Sequence, residues 1–156
     1  MYLPSLAILV CCIISMAACV DIKYKDCGSQ VGKLEKVEVF PCDNPAACRL
    51  HHNKSYTINV TFTAAETTSQ SFDTLYGIIK GIKVPFISDH DACKGGLSGL
   101  KCPIESGKQY RFTTSLPIKQ FYPNLKIVAE WKLVDAESYK NGNIIFCFKA
   151  ALEIVK

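Results

Sequence analysis

A chain of 156 residues is long enough for one domain and hardly two. Its formal net charge of +4 is mildly basic, and the lysines are scattered rather than run together, so no nucleic-acid surface is indicated. The charge reads as solubility, with weak attraction to anionic membranes as the other possibility.

The first segment is read as a leader and not as part of the fold. Leu6 to Ala18 is an uncharged apolar run ending in small residues, the pattern of a secretory h-region with its cleavage site, and it is too short to span a bilayer. Cleavage after Cys19 places Ala17 and Cys19 at the small-residue positions, and cleavage after Ala17 or Ala18 also fits. Residues 1–19 are therefore expected to be a signal peptide and 20–156 one secreted domain. Met16-Ala17-Ala18-Cys19 also resembles a bacterial lipoprotein cleavage box. Three of the nine cysteines lie in the leader, leaving Cys27, Cys42, Cys48, Cys93, Cys102 and Cys147. An even number in a small secreted domain predicts three disulfides, for which about 15 pairings exist, and sequence alone does not choose among them. Proximity suggests Cys42–Cys48 and Cys93–Cys102, leaving Cys27–Cys147 to join the two ends. A zinc site is the rival reading, but the spacings are not C-x₂-C and the compartment is oxidising, so no metal is expected.

Strand signals dominate the rest. Leu34–Phe40 is a first candidate, followed by turn residues from Pro41 to Pro45 and from His51 to Lys54. Tyr56, Ile58, Val60, Phe62 and Ala64 then alternate with Thr57, Asn59, Thr61 and Thr63, which describes a half-buried strand. Thr74–Val84 and Tyr110–Leu116 are shorter candidates, with turns at Ser88–Gly99 and Glu105–Lys108. Ile127, Ala129, Trp131 and Leu133 alternate with Val128, Glu130 and Lys132. After a turn at Glu137–Gly142, Ile144, Phe146, Phe148, Ala150, Leu152 and Ile154 share one face. Strands so spaced, without a convincing amphipathic helix, predict an all-β antiparallel sandwich or barrel. Two sequons occur, at Asn53 and Asn59. Asn59 lies on the polar face of its strand, where a glycan would stand in water.

Catalysis finds no support. His51, His52 and His90 form neither H-x₃-H nor H-E-x-x-H and read as loop histidines. Gly96-Leu97-Ser98-Gly99 is one residue short of a nucleophile elbow, and its glycines suit a loop closed by Cys93 and Cys102. No G-x-G-x-x-G or P-loop is present, so no cofactor is expected. Binding fits better, because 49% of the residues are hydrophobic and a sandwich whose sheets splay apart converts its core into a cavity. Composition alone does not distinguish a cavity from a filled core.

A set of motifs narrows the choice. Asp26-Cys27-Gly28-Ser29, Pro41-Cys42, Asn59-Val60-Thr61-Phe62, Gly81-Ile82-Lys83-Val84-Pro85-Phe86 and Lys101-Cys102-Pro103-Ile104 occur in that order. Leu116-Pro117-Ile118-Lys119, Tyr122-Pro123, Glu130-Trp131-Lys132-Leu133 and Phe146-Cys147 follow. Together they resemble the Niemann-Pick type C2 proteins of the MD-2-related lipid-recognition (ML) domain family, over essentially the whole mature chain. The Asp91-Ala92-Cys93 loop with its Gly-rich insert looks like that of arthropod members. The resemblance implies an immunoglobulin-like β-sandwich of about seven strands whose sheets part to admit one apolar ligand, and it supports the disulfide pairing above. It implies a sterol ligand, cholesterol, passed between membranes and to a membrane-bound acceptor in the endosome or lysosome by a monomeric carrier. The entrance then carries over to Phe86, Ile118 and Tyr122, and the deeper wall to Val39, Leu50, Val84, Pro117, Trp131 and Phe148. Departures from the family pattern are Ile118 for Val, Phe148 for Trp, Ile87 for Pro and Tyr76 for His. These leave fatty acids or semiochemicals, or microbial lipid in innate immunity, as alternative cargo.

Overall fold

A computed structural model describes residues 19–94, 100–135 and 142–156, with Ser88 and Asp89 described as backbone only. Residues 1–18 of the expected leader, the Gly96-Leu97-Ser98-Gly99 segment and most of the expected turn at Glu137–Gly142 lie outside the described residues. Among those described there is no helix. The strands are β1 (Val20–Asp21), β2 (Lys25–Asp26), β3 (Gly32–Phe40), β4 (Cys48–His51), β5 (Ser55–Ala64), β6 (Phe72–Ile79), β7 (Ile82–Asp91), β8 (Gln109–Pro117), β9 (Leu125–Val134) and β10 (Ile144–Val155).

Two sheets pack face to face. One has the order β1-β3-β5-β8. The other runs β2-β10-β9-β6-β7, with β4 joining β10 in parallel while its other neighbours are antiparallel. The architecture is an immunoglobulin-like sandwich, and seven of its strands have eight residues or more. Alternation explains the layers. Tyr56, Ile58, Val60, Phe62 and Ala64 of β5 are all buried, as are Ile127, Ala129, Trp131 and Leu133 of β9 and the even-numbered residues Phe146 to Ile154 of β10. Their rings interlock: Phe62 and Phe112 pack on Phe146, and Phe112 meets Trp131 edge-on.

Three cross-links close the fold: Cys27–Cys147, Cys42–Cys48 and Cys93–Cys102, the pairs proximity suggests. The Asp26-Cys27-Gly28-Ser29 motif serves the first of them. Asp26 accepts hydrogen bonds from the Gly28 and Ser29 amides, and the Ser29 hydroxyl accepts one from the Cys147 amide at 3.1 Å.

Some expectations are corrected. Thr74–Val84 is not one strand but the tip of the β6–β7 hairpin, turned at Lys80 (φ 49°) and Gly81 (φ 84°). Both residues are left-handed, as a two-residue hairpin turn requires, while the apolar run Ile78, Ile79, Ile82, Val84 continues through it and hides the break. Ser88–Asp91 is strand rather than turn, because β7 is a sheet edge, where polar residues are tolerated. Cys48–His51 pairs as β4 although it is too short to show a period. The side chain of Asn59 does not stand in water: it is 4% exposed and accepts from the Thr113 hydroxyl at 2.8 Å. Asn53 is the exposed sequon, in the turn between β4 and β5.

Candidate site between the sheets

The inner faces leave two adjoining voids. The outer one lies among Leu50, Tyr76, Gly77, Phe86, Ile118 and Ile127, with Ile154 behind them. The inner one lies among Ile22, Val39, Ile58, Trp131, Phe148 and Ala150. Leu75, Leu116, Ala129 and Leu152 line both, so the voids form one track between the sheets. Each has a free volume of about 20 Å³, room for about one water. Ligand pockets for small molecules measure roughly 300–1,000 Å³, so the walls must part before anything large enters. Surface grooves of about 270–350 Å³ also exist, but they are open to solvent and carry charged side chains such as Arg49, Lys54, Lys80 and Lys126.

The outer end is closed by side chains from both sides. Phe86, on β7, meets Tyr122, in the loop between β8 and β9, edge to face at 5.5 Å. The loop is fixed there because Ile118, buried at 4%, exchanges backbone hydrogen bonds with Asn53 and Lys54 at 2.8 Å each. Gly77 makes room for the Phe86 ring: a Cβ at that position would lie 2.5 Å from the ring carbon Cε2. Apolar side chains also face solvent. Phe121, beside Tyr122, is 81% exposed, and Ile82, at the tip of the β6–β7 hairpin, is 68% exposed.

Of the residues expected at the site, Phe86, Ile118 and Leu50 line the outer void and Val39, Trp131 and Phe148 the inner one. Tyr122 contributes through Phe86. Val84 and Pro117 line neither void: Val84 is exposed on the edge strand and Pro117 is exposed at the end of β8. Ile127, Ala129, Leu152 and Ile154 were not singled out, although the alternation that places Trp131 and Phe148 on one face places them there too. Leu75 and Gly77 had no such signal, because the β6–β7 turn was read as strand.

Charge is kept on the outside of this sheet, with one exception. Glu130, between Ala129 and Trp131, points outward and is bound by Lys83 at 2.7 Å, Lys149 at 3.2 Å and Lys132 at 3.4 Å. Burial alone would raise its carboxyl, but the hydrogen bonds from Lys83 and Lys149 and the charges of Lys132 and Lys83 outweigh it and hold the group below the ordinary carboxylate value. The exception is Asp73, which points inward and is held above the ordinary value by burial, against hydrogen bonds from His90 and Trp131.

A two-sheet sandwich with an apolar track between its faces and an aromatic pair at one end is the architecture of a lipid-binding domain. The sequence comparisons agree. Residues 21–154 match the ML domain, and the chain belongs to that family, among its Niemann-Pick type C2 members. It is 42% identical over 134 residues to the bovine NPC intracellular cholesterol transporter 2, covering 85% of each chain. With the Drosophila melanogaster NPC intracellular cholesterol transporter 2 homolog a it shares 33% identity, covering 85% of this chain and 87% of the relative. The crystal structure of a Niemann-Pick type C2 protein from Japanese carpenter ant has the same fold. Its TM-score is 0.77 at 23% identity, over 86% of this chain and all of that one. The bovine relative is more identical than the fly one, and the likeness to arthropod members rests on the loop after Asp91, of which 95–99 lie outside the described residues.

Proposed function

We propose that the protein binds a sterol between its sheets and carries it between membranes, without catalysing a reaction. The observation that carries this reading is the pair of adjoining apolar voids between the sheets, with Phe86, against Tyr122, in the wall of the outer one. Cholesterol is the cargo named for the bovine relative. A sterol of about 28 heavy atoms at roughly −0.3 kcal/mol each gives about −8 kcal/mol, a dissociation constant near micromolar. That is firm enough to load and weak enough to release. The exposed Phe121 beside Tyr122 suits transient contact with a membrane or a membrane-bound sterol acceptor. In this reading residues 1–19 are removed as a signal peptide, and 20–156 act as a monomer outside the cell and in the endosomal or lysosomal lumen.

The test is uptake of a fluorescent sterol by the secreted, disulfide-bonded protein, with cholesterol and oleate as competitors. Displacement by cholesterol supports the reading, and displacement by oleate alone sinks it. One observation favours a fatty acid as the second reading: a track with so little free volume opens less for a slim acyl chain than for fused rings.

A further inference from the structure

Asp73 is an ionisable side chain in an apolar place. It is 1% exposed and stands on β6 two residues before Leu75, which lines both voids. A buried carboxylate is costly unless it is hydrogen-bonded, and here each oxygen has its own donor. Oδ1 accepts from His90 Nδ1 at 2.7 Å, across the β6–β7 hairpin, and Oδ2 accepts from Trp131 Nε1–H at 3.2 Å. The second bond satisfies an indole N–H that burial would otherwise strand. It also fixes the ring plane, which lies at 23° to Phe148 and 72° to Phe112 and forms a wall of the inner void.

We propose that Asp73, held by His90, is a positioning residue for the bound lipid: it sets the plane of Trp131 and so the shape of the inner end of the track. The inference rests on the carrier reading. Neither Asp73 nor His90 lines a void, so both act through the indole. Among the described residues, β7 brings to Asp73 the imidazole of His90, and Asp91, which is turned instead to Lys94 and the Cys93 amide. β9 presents Trp131 and Leu133 on the inner face and Glu130 and Lys132 on the outer. β8 presents Phe112 to the indole. The His90 side chain is 46% exposed, so solvent protons reach the pair without opening the core. A change in the charge of the buried Asp73 carboxyl is felt at the indole N–H it accepts from.

Trp131 is the single tryptophan, so its emission reports this contact directly. Emission of the ligand-free protein and affinity for dehydroergosterol are measured from neutral into acid pH, the range in which a buried carboxyl held above its ordinary value takes up its proton. Asp73→Asn keeps an acceptor for the indole and removes the charge, and Asp73→Leu leaves the indole N–H without a partner. In the wild type, emission and affinity should shift together with pH. Asp73→Asn should flatten both profiles while binding within about threefold of wild type at neutral pH, and Asp73→Leu should bind roughly tenfold more weakly. A wild-type pH profile in Asp73→Asn overturns the proposal, as does folded Asp73→Leu with wild-type emission and affinity. Should Asp73→Leu not fold, the Asp73→Asn profile decides alone. If the wild type takes up no sterol, the carrier reading fails, while the ligand-free emission profile still decides the role of Asp73.

Discussion

Phe86 and Tyr122 touch each other across the end of the track, and neither is among the fully buried rings that hold the sandwich together. Removing either should therefore open the site more than it weakens the fold. Phe86→Ala and Tyr122→Ala are expected to lower sterol affinity about tenfold or more, the loss of roughly 1.5–3 kcal/mol of apolar contact. Thermal unfolding should stay cooperative in both, and loss of folding would show that they are core residues instead. Gly77→Ala tests the same contact from behind. The added methyl would displace the Phe86 ring, so affinity should fall although neither aromatic has been changed. At the surface, mass analysis of secreted protein should find glycan on Asn53, which is exposed, in preference to Asn59, which is buried beneath the Thr113 hydroxyl contact.

The elements show how a single strand serves two purposes. β9 turns Ala129 and Trp131 toward the track and Glu130 toward three lysines on the other face, an arrangement that period-two alternation dictates. The carboxyls on its two sides, Glu130 of β9 itself and Asp73 of the neighbouring β6, have opposite pH dependence. Folding lowers the Glu130 carboxyl, so that stabilisation is present above the ordinary carboxylate value and is lost as pH falls through the lowered folded value. Folding raises Asp73, so its contribution grows as pH falls through the raised folded value and is complete below the ordinary one. Denaturant titrations over acid pH should show Glu130→Gln destabilised at neutral pH and converging on wild type in strong acid. Asp73→Asn should lack the wild-type gain on mild acidification. Identical pH profiles for the two variants would contradict these assignments. The inner faces of β5, β9 and β10 were legible because long strands buried on one face must alternate. The β6–β7 turn was not, because Lys80 adopts a left-handed backbone that residue type does not announce. Val84 and Pro117 were carried over by resemblance and lie outside the track, since edge position and strand ending are properties of topology and not of motif.

For the whole molecule, the closed track and the cross-links act together. Cys27–Cys147 spans 120 residues and ties the start of the domain to the central strand β10. In the chain-entropy model a closure of that length contributes nearly 5 kcal/mol at most, so replacing both cysteines by serine should lower the denaturant midpoint more than removing Cys42–Cys48, which spans only 6. Neither change touches a track wall. Each void holds about 20 Å³, far less than a sterol fills, so uptake of such a ligand should require the walls to move apart. The family resemblance made the sandwich and much of the inner wall legible, but the collapsed state of the track was not, because composition does not report how closely two faces approach.

The most direct measurement is equilibrium binding of dehydroergosterol to the secreted protein, followed by energy transfer from Trp131 and competed with cholesterol and with oleate. Saturable transfer is expected if the sterol occupies the inner void against Trp131, with displacement by cholesterol at about micromolar concentration. Absence of transfer, or displacement by oleate with none by cholesterol, would contradict the sterol-carrier reading.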